Sequence, residues 1–68
     1  MAKFVVYETK ENGKDYVLAT VEGMAAAMKE VKRRRKLVKD TSVVGMQEKD
    51  IYLFIKKHQE KELKKNGN

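Results

Sequence analysis

The stretch that decides the fold is residues 3–21, KFVVYETKENGKDYVLATV. Both of its ends are rich in β-branched and aromatic residues, which suit a pleated, half-buried surface. Between them lies Asn12-Gly13. This pair is the strongest short-range signal for a β-hairpin, because both residues tolerate the positive φ angles of a type I′ turn. The stretch therefore predicts two antiparallel strands, over residues 3–9 and 15–21, joined by a tight turn.

After the hairpin, the spacing of apolar residues changes from that of a strand to that of a helix. Apolar side chains now recur at steps of three and four residues, as on one helix face, at Met24, Ala27, Met28, Val31 and Val38. We expect a helix over about residues 22–37, with Thr20 or Glu22 accepting hydrogen bonds from the exposed N–H groups at its start. Residues 42–47, SVVGMQ, predict a third strand.

The segment Ile51–Ile55, IYLFI, is compatible with two structures. As a helix that begins at Asp50 it leaves Leu53 on the opposite side from the other apolar residues, whereas as a strand it fills both faces with residues of high β-propensity. The strand is favoured. The predicted fold is α+β, a small antiparallel sheet with one helix packed on a face, in the order β-β-α-β-β, and the alternative order is β-β-α-β-α. The domain is expected to span residues 1–57, with residues 58–68 as a helical extension or a flexible basic tail.

The composition narrows the classes of function. With 68 residues, the chain has room for one domain with a modest core, which a homodimer would be one way of completing. There is no cysteine, and the single histidine, His58, cannot build an imidazole cluster, so no metal or other cofactor is expected. No nucleophile stands beside that histidine in sequence and no glycine-rich loop suits a phosphate, so the chain is not expected to be an enzyme.

The sequence also gives an expectation about location. No segment reaches the roughly 18 consecutive apolar residues that a membrane span needs. The first residues lack the apolar stretch of a signal peptide, and together with the absence of cysteine this predicts a cytoplasmic protein with no membrane partner. Small accessory proteins of phages and bacteria are commonly of this type.

The positive charge of the chain is concentrated in one segment. The whole sequence has a formal net charge of +6. Residues 29–39 hold seven basic side chains and a single carboxylate, Glu30, and therefore carry a net +6 by themselves, while the other segments cancel one another. So concentrated a basic tract indicates an anionic partner more strongly than the overall charge does.

Helical geometry predicts that most of these basic residues share one side of the helix. At 100° per residue, five of them occupy one arc of roughly 120° beside the apolar stripe: Lys29, Lys32, Arg33, Lys36 and Lys39. Arg34 lies at the other flank of the stripe. Arg35 falls on the stripe itself, so its side chain must extend along the apolar surface or the helix must have left the sheet by that turn. The candidate nucleic-acid-binding residues are Lys29, Lys32, Arg33, Arg34, Lys36 and Lys39.

Such an arc favours a non-enzymatic binding module. Guanidinium groups pair bidentately with phosphate oxygens and lysines add point charges, so the expected partner is nucleic acid, DNA or RNA, bound through its backbone. The alternative is a small protein-interaction module, an inhibitor or adaptor of a larger complex, which docks on an acidic protein surface or pairs an exposed sheet edge. A third interpretation is a solvated helix face whose charge only maintains solubility.

The aromatic residues of the strands are a second candidate for contact with nucleic acid. A sheet can stack unpaired bases on such side chains, but the aromatic-glycine signature of RNA-binding sheets is absent. The aromatic residues are therefore expected to serve in packing: Phe4, Tyr7, Tyr16, Tyr52 and Phe54.

Overall fold

A computed structural model describes the backbone of residues 1–66 and the side chains of residues 1–59. The fold is α+β, as predicted, and its element order is the alternative one, β-β-α-β-α. The elements are β1 (Lys3–Thr9), β2 (Asp15–Glu22), α1 (Met24–Arg35), β3 (Val43–Glu48) and α2 (Lys49–Asn66). The fourth strand predicted over residues 51–55 is wrong, because this segment forms the first turns of α2.

The three strands form one antiparallel sheet in the order β2-β1-β3. The predicted hairpin is confirmed, but its turn is not type I′. Gly13 has a positive φ of 82°, whereas Asn12 does not. The N–H of Gly13 donates to the Lys10 carbonyl at 2.8 Å, and the Asn12 side chain accepts from the Lys14 N–H at 2.9 Å. This longer loop needs only one residue with positive φ, and glycine provides it.

Helix α1 begins two residues later than predicted, because β2 continues through Glu22. Gly23, with φ 86°, turns the chain from the strand into the helix, and no side chain caps the first turn. The predicted capping by Thr20 or Glu22 is therefore wrong. The Gly23 N–H instead donates to the carbonyl of Ala2 at 2.8 Å, which ties the start of the helix to the beginning of β1.

The core lies between α1 and one face of the sheet. Val6 of β1 is fully buried and clusters with Val31 of α1 and Val44 of β3. Partly buried apolar residues surround this cluster: Leu18, Ala19, Val21, Val38 and Met46. Burial of these side chains supplies the main driving force for folding.

Helix α2 covers the opposite face of the sheet. Successive residues of a strand point to opposite faces, so Tyr7 lies on the side away from Val6 and α1. The Tyr7 ring packs against Tyr52 of α2, with centroids 5.4 Å apart and a 31° angle between the ring planes. The helix runs unbroken through residue 58, where the tail was predicted to begin, and Gly67 and Asn68 of that tail lie outside the described residues.

One ion pair ties α2 to the start of β2. The Lys56 ammonium donates to Asp15 Oδ2 at 2.7 Å, and the Thr9 hydroxyl donates to Asp15 Oδ1 at the same distance. The hydrogen bond from Lys56, followed by that from Thr9, lowers the pKa of Asp15 from its ordinary value of 3.8. The same bond raises the pKa of Lys56 above 10.5. The pair therefore stabilises the fold over the pH range in which Asp15 is ionised and Lys56 is protonated. Its contribution is lost when Asp15 is protonated or Lys56 is deprotonated.

Asp15→Asn is expected to lower the free energy of unfolding at neutral pH by about 0.5–1 kcal/mol, the range of partly exposed ion pairs. Because the folded-state pKa of Asp15 is depressed, its contribution is complete above the unfolded-state value and disappears as the pH falls through the folded-state value. Urea unfolding at about pH 7 and about pH 2.5 measures this, with the exposed Asp40→Asn as the control. A difference between wild type and Asp15→Asn that is undiminished in acid would contradict the assignment.

Candidate nucleic-acid interface

Four basic residues of α1 and its C-terminus project away from the sheet. Ala27 and Val31 are the buried residues of the helix. At 100° per residue, the basic ridge, defined here as Lys29, Lys32, Arg33 and Lys36, lies on the side opposite them. All four side chains are exposed. The sequence placed this arc beside a wider apolar stripe, but Met24 and Met28 of that stripe are more than half exposed, so the buried stripe is narrower than predicted.

One carboxylate neutralises part of this charge. Glu30 Oε1 accepts from Arg33 Nε at 2.9 Å and Nη2 at 2.6 Å, and from Arg34 Nε at 3.1 Å. The hydrogen bond from Arg33 is the largest cause that lowers the pKa of Glu30, and Arg34 adds to it. Glu30 therefore stays ionised near neutral pH and holds both guanidinium groups at the flank of the helix that faces away from Lys32.

The two arginines differ in what they can offer a ligand. The Arg33 side chain is 59% exposed, and a guanidinium has five N–H donors, so hydrogen-bonding capacity remains after its contact with Glu30. The Arg34 side chain is only 30% exposed and lies beside the core. The structure thus separates Arg34 from the ridge.

Lys39 does not share the helix face that the sequence predicted for it. Helix α1 ends at Arg35, with Lys36 as its C-cap, and the Leu37 N–H donates to the Arg34 carbonyl at 2.9 Å. The chain then leaves the helical path, so the angular extrapolation to Lys39 fails. Lys39 lines a shallow depression at the hairpin end of the molecule, together with Glu8 and Glu11.

Arg35 is the basic residue that sequence reasoning left out of the site. Its position on the apolar stripe predicted either a side chain extended along the surface or a helix that has left the sheet by that turn. Helix α1 ends at this residue. The exposed side chain lines a groove between α1 and β3, with Lys32, Met28 and Met46. The signal was present in the sequence, because a charged residue on an apolar stripe marks the rim of a buried surface.

The aromatic residues do not form a stacking platform in the described structure. Phe4 is buried, and Tyr7 and Tyr52 cover each other between the sheet and α2, as the packing interpretation predicted. Tyr16 is partly exposed beneath the Lys10 ammonium, which lies 4.8 Å from its ring centroid. Phe54 lies on the outer side of α2 and contacts the edge of His58.

Searches of family models, curated proteins and solved structures found no match to this chain. Among the residues that the structure describes, no group of three or more histidine, cysteine or acidic side chains is placed to hold a metal ion. No helix in the described part of the chain combines the length and apolar character needed to cross a membrane.

Proposed function

We propose that this protein binds nucleic acid through the phosphate backbone, using the basic ridge of α1. The observation that carries the proposal is the placement of four exposed cationic side chains opposite the buried stripe of one helix. The core interactions of α1 lie on its other side, so a ligand can approach the ridge without displacing any packed side chain. Local positive potential of this kind attracts polyanions and raises their association rate.

The dimensions of the ridge suit a phosphate backbone. From Lys29 to Lys36 the helix rises about 10 Å at 1.5 Å per residue. Duplex DNA carries one phosphate for about every 1.7 Å of its axis, so roughly six phosphates fall within that length. Three lysines and one arginine therefore meet an excess of acceptors, and each side chain can select the nearest oxygen.

The chemistry of the ridge predicts affinity without sequence preference. Contacts with phosphates position a protein on nucleic acid, whereas base-edge contacts specify a sequence. Lysine contributes a flexible point charge, and Arg33, the only guanidinium on the ridge, is already held by Glu30. We expect the same affinity for unrelated duplex sequences of equal length.

Exposed apolar residues on α2 favour a second candidate function, that of a protein-interaction module. Four side chains in its first two turns are between 43% and 63% exposed: Ile51, Leu53, Phe54 and Ile55. A helix segment that is apolar on all sides is usually buried, and clustered exposed apolar residues commonly mark contacts with a protein. A protein that covers α2 would bury this cluster, on the face of the sheet opposite α1 and the basic ridge.

A gel-shift salt series tests the leading proposal and predicts a steep dependence on ionic strength. Four phosphate contacts give a slope of log affinity against log salt of about −4 on duplex DNA and about −3 on single strands. Random duplex DNA, single-stranded DNA and RNA are compared between about 50 and 200 mM salt, with a neutral polysaccharide as the control ligand. Absence of binding at the lowest salt, or affinity that does not change with salt, would exclude the ridge as a phosphate site and leave the α2 surface as the better-supported interface.

A further inference from the structure

The two edges of the sheet differ in how they are protected. In β2 the register with β1 shifts between Val6 and Tyr7, which leaves Leu18 as an extra residue in the outer strand. A bulge of this kind bends an edge and hinders pairing with another chain. β3 pairs with β1 without any irregularity from Val43 to Glu48, and it contains no lysine, arginine or proline. Of the usual obstacles to edge pairing, β3 has only one charged residue, Glu48 at its C-terminal end.

The outer backbone groups of β3 are unoccupied within the described part of the chain. Apart from bonds within the sheet and the helices, none of the hydrogen bonds between described residues involves the backbone of Val43–Gln47. Alternate N–H and C=O groups of an antiparallel edge strand point away from its neighbour. They form a ready template for one more strand.

A groove beside this edge adds side-chain recognition. It lies between α1 and β3, with Met28, Val31 and Met46 forming its apolar surface and Lys32 and Arg35 at its rim. Met28 is 53% exposed, and methionine adapts its shape readily at binding surfaces. Glu30, which pairs with Arg33 and Arg34, lies on the other flank of the helix. None of the ion pairs between described residues involves Lys32 or Arg35.

We propose that β3 binds an extended acidic segment of another protein by adding it as a fourth strand at the edge of the sheet. Main-chain hydrogen bonds to β3 provide the pairing, as in other cases of strand addition. Side chains on the α1 face of the added strand enter the groove, where apolar groups contact Met28 and Met46. Carboxylates on the same face pair with Lys32 and Arg35. This site shares Lys32 with the basic ridge but uses neither Lys29 nor Lys36.

Charge disfavours a second copy of the chain at this edge, and backbone chemistry disfavours nucleic acid. In a second copy of the chain paired antiparallel through β3, the two-fold axis would bring both copies of Lys32 and Arg35 onto one face of the joined sheet. These like charges would oppose each other across the axis, which disfavours that pairing. Nucleic acid carries the charge to pair with the two cations. It has no peptide groups to continue the β3 hydrogen bonds and no apolar side chains to contact Met28 and Met46.

The test uses a designed peptide, acetyl-ETVTETVT-amide, and amide chemical shifts of the isotope-labelled protein. Glutamate and valine alternate on one face of this peptide, and threonine occupies the other. Two further versions carry N-methyl groups, one on the glutamate and valine residues and one on the threonines. In strand addition only one of these two sets of N–H groups faces β3. We expect one methylated version to bind about tenfold more weakly and the other to retain its affinity within about twofold, with shifts centred on Val43–Glu48.

Charge variants then separate this site from the two ridge residues that it does not use, Lys29 and Lys36. Arg35→Glu is expected to weaken the peptide about tenfold, and Lys29→Glu/Lys36→Glu to change its affinity less than about twofold. A peptide with lysine in place of glutamate serves as the charge control, and circular dichroism checks that Arg35→Glu is folded. Equal affinity of the two methylated versions, or shifts confined to Lys29, Arg33 and Lys36, would overturn the proposal. A shift of the β3 amides with protein concentration alone, or on addition of a DNA duplex, would also overturn it. The edge would then bind a second copy of the chain or nucleic acid.

Discussion

Gly45→Val is expected to lower the free energy of unfolding by about 1–3 kcal/mol, the range for overpacked cores. A Cβ atom on residue 45 would lie 2.9 Å from both Cζ and Oη of Tyr7 and 3.2 Å from its Cε2. The Tyr7 ring cannot swing aside freely, because its other neighbour is the ring of Tyr52. The substitution therefore displaces the contact through which α2 covers the sheet. In a domain of this size, such a loss is a large part of the total stability.

The sign of the effect makes this prediction decisive. Valine has a higher β-propensity than glycine and restricts the unfolded chain, so at an unobstructed strand position the same change raises stability. Urea unfolding of Gly45→Val is compared with Thr20→Val, which places valine at an exposed position of β2 and is expected to be neutral or slightly stabilising. The double variant Tyr7→Leu/Gly45→Val should be more stable than the sum of the two single changes predicts. A Gly45→Val protein as stable as wild type would show that Tyr7 does not fill this space.

The hairpin and α1 were predictable because their signals are local. The Asn12-Gly13 pair and the period of the following apolar residues act within a few residues of the elements that they determine. The fourth strand was a wrong prediction because Ile51–Ile55 is apolar in both interpretations, so its period could not decide between them. What decides is the second face of the sheet, which must be covered.

The sequence of β1 indicated that both faces of the sheet are covered. Val5 and Tyr7 point to the face opposite Phe4 and Val6, so the strand is apolar on both sides. A strand of this kind belongs in the middle of a sheet that is covered on both faces. A helix with Tyr52 and Lys56 one turn apart can provide the second layer, whereas another edge strand would have left Tyr7 uncovered.

The basic ridge was predictable for the part of α1 that is regular. Lys29, Lys32 and Arg33 share a face because of helical geometry alone. The error at Lys39 comes from the end of the helix, since the 100° rule no longer applies beyond Lys36, the C-cap. The pairing of Glu30 with Arg33 and Arg34 depends on side-chain conformation, which spacing allows but does not determine.

Lys29→Glu/Lys36→Glu is expected to weaken binding to random duplex DNA by about 100-fold at about 50 mM salt and about tenfold at about 200 mM. Both residues lie on the ridge, neither pairs with Glu30, and neither lines the groove beside β3. Each lost phosphate contact forfeits the release of a counterion, a release that is more favourable in dilute salt. For the same reason the slope of log affinity against log salt should fall by about 2.

The control for this variant must carry the same total charge. Lys14→Glu/Lys57→Glu also lowers the formal net charge from +6 by four units, but it changes exposed residues of the hairpin and of α2. We expect it to weaken binding less than about fivefold, through the reduced long-range field alone. Fluorescence anisotropy with a labelled duplex measures both variants across the salt series. Equal weakening by both variants would mean that the nucleic acid responds to net charge and not to the position of that charge. The basic residues from Lys29 to Lys36 would then serve only to keep the protein soluble.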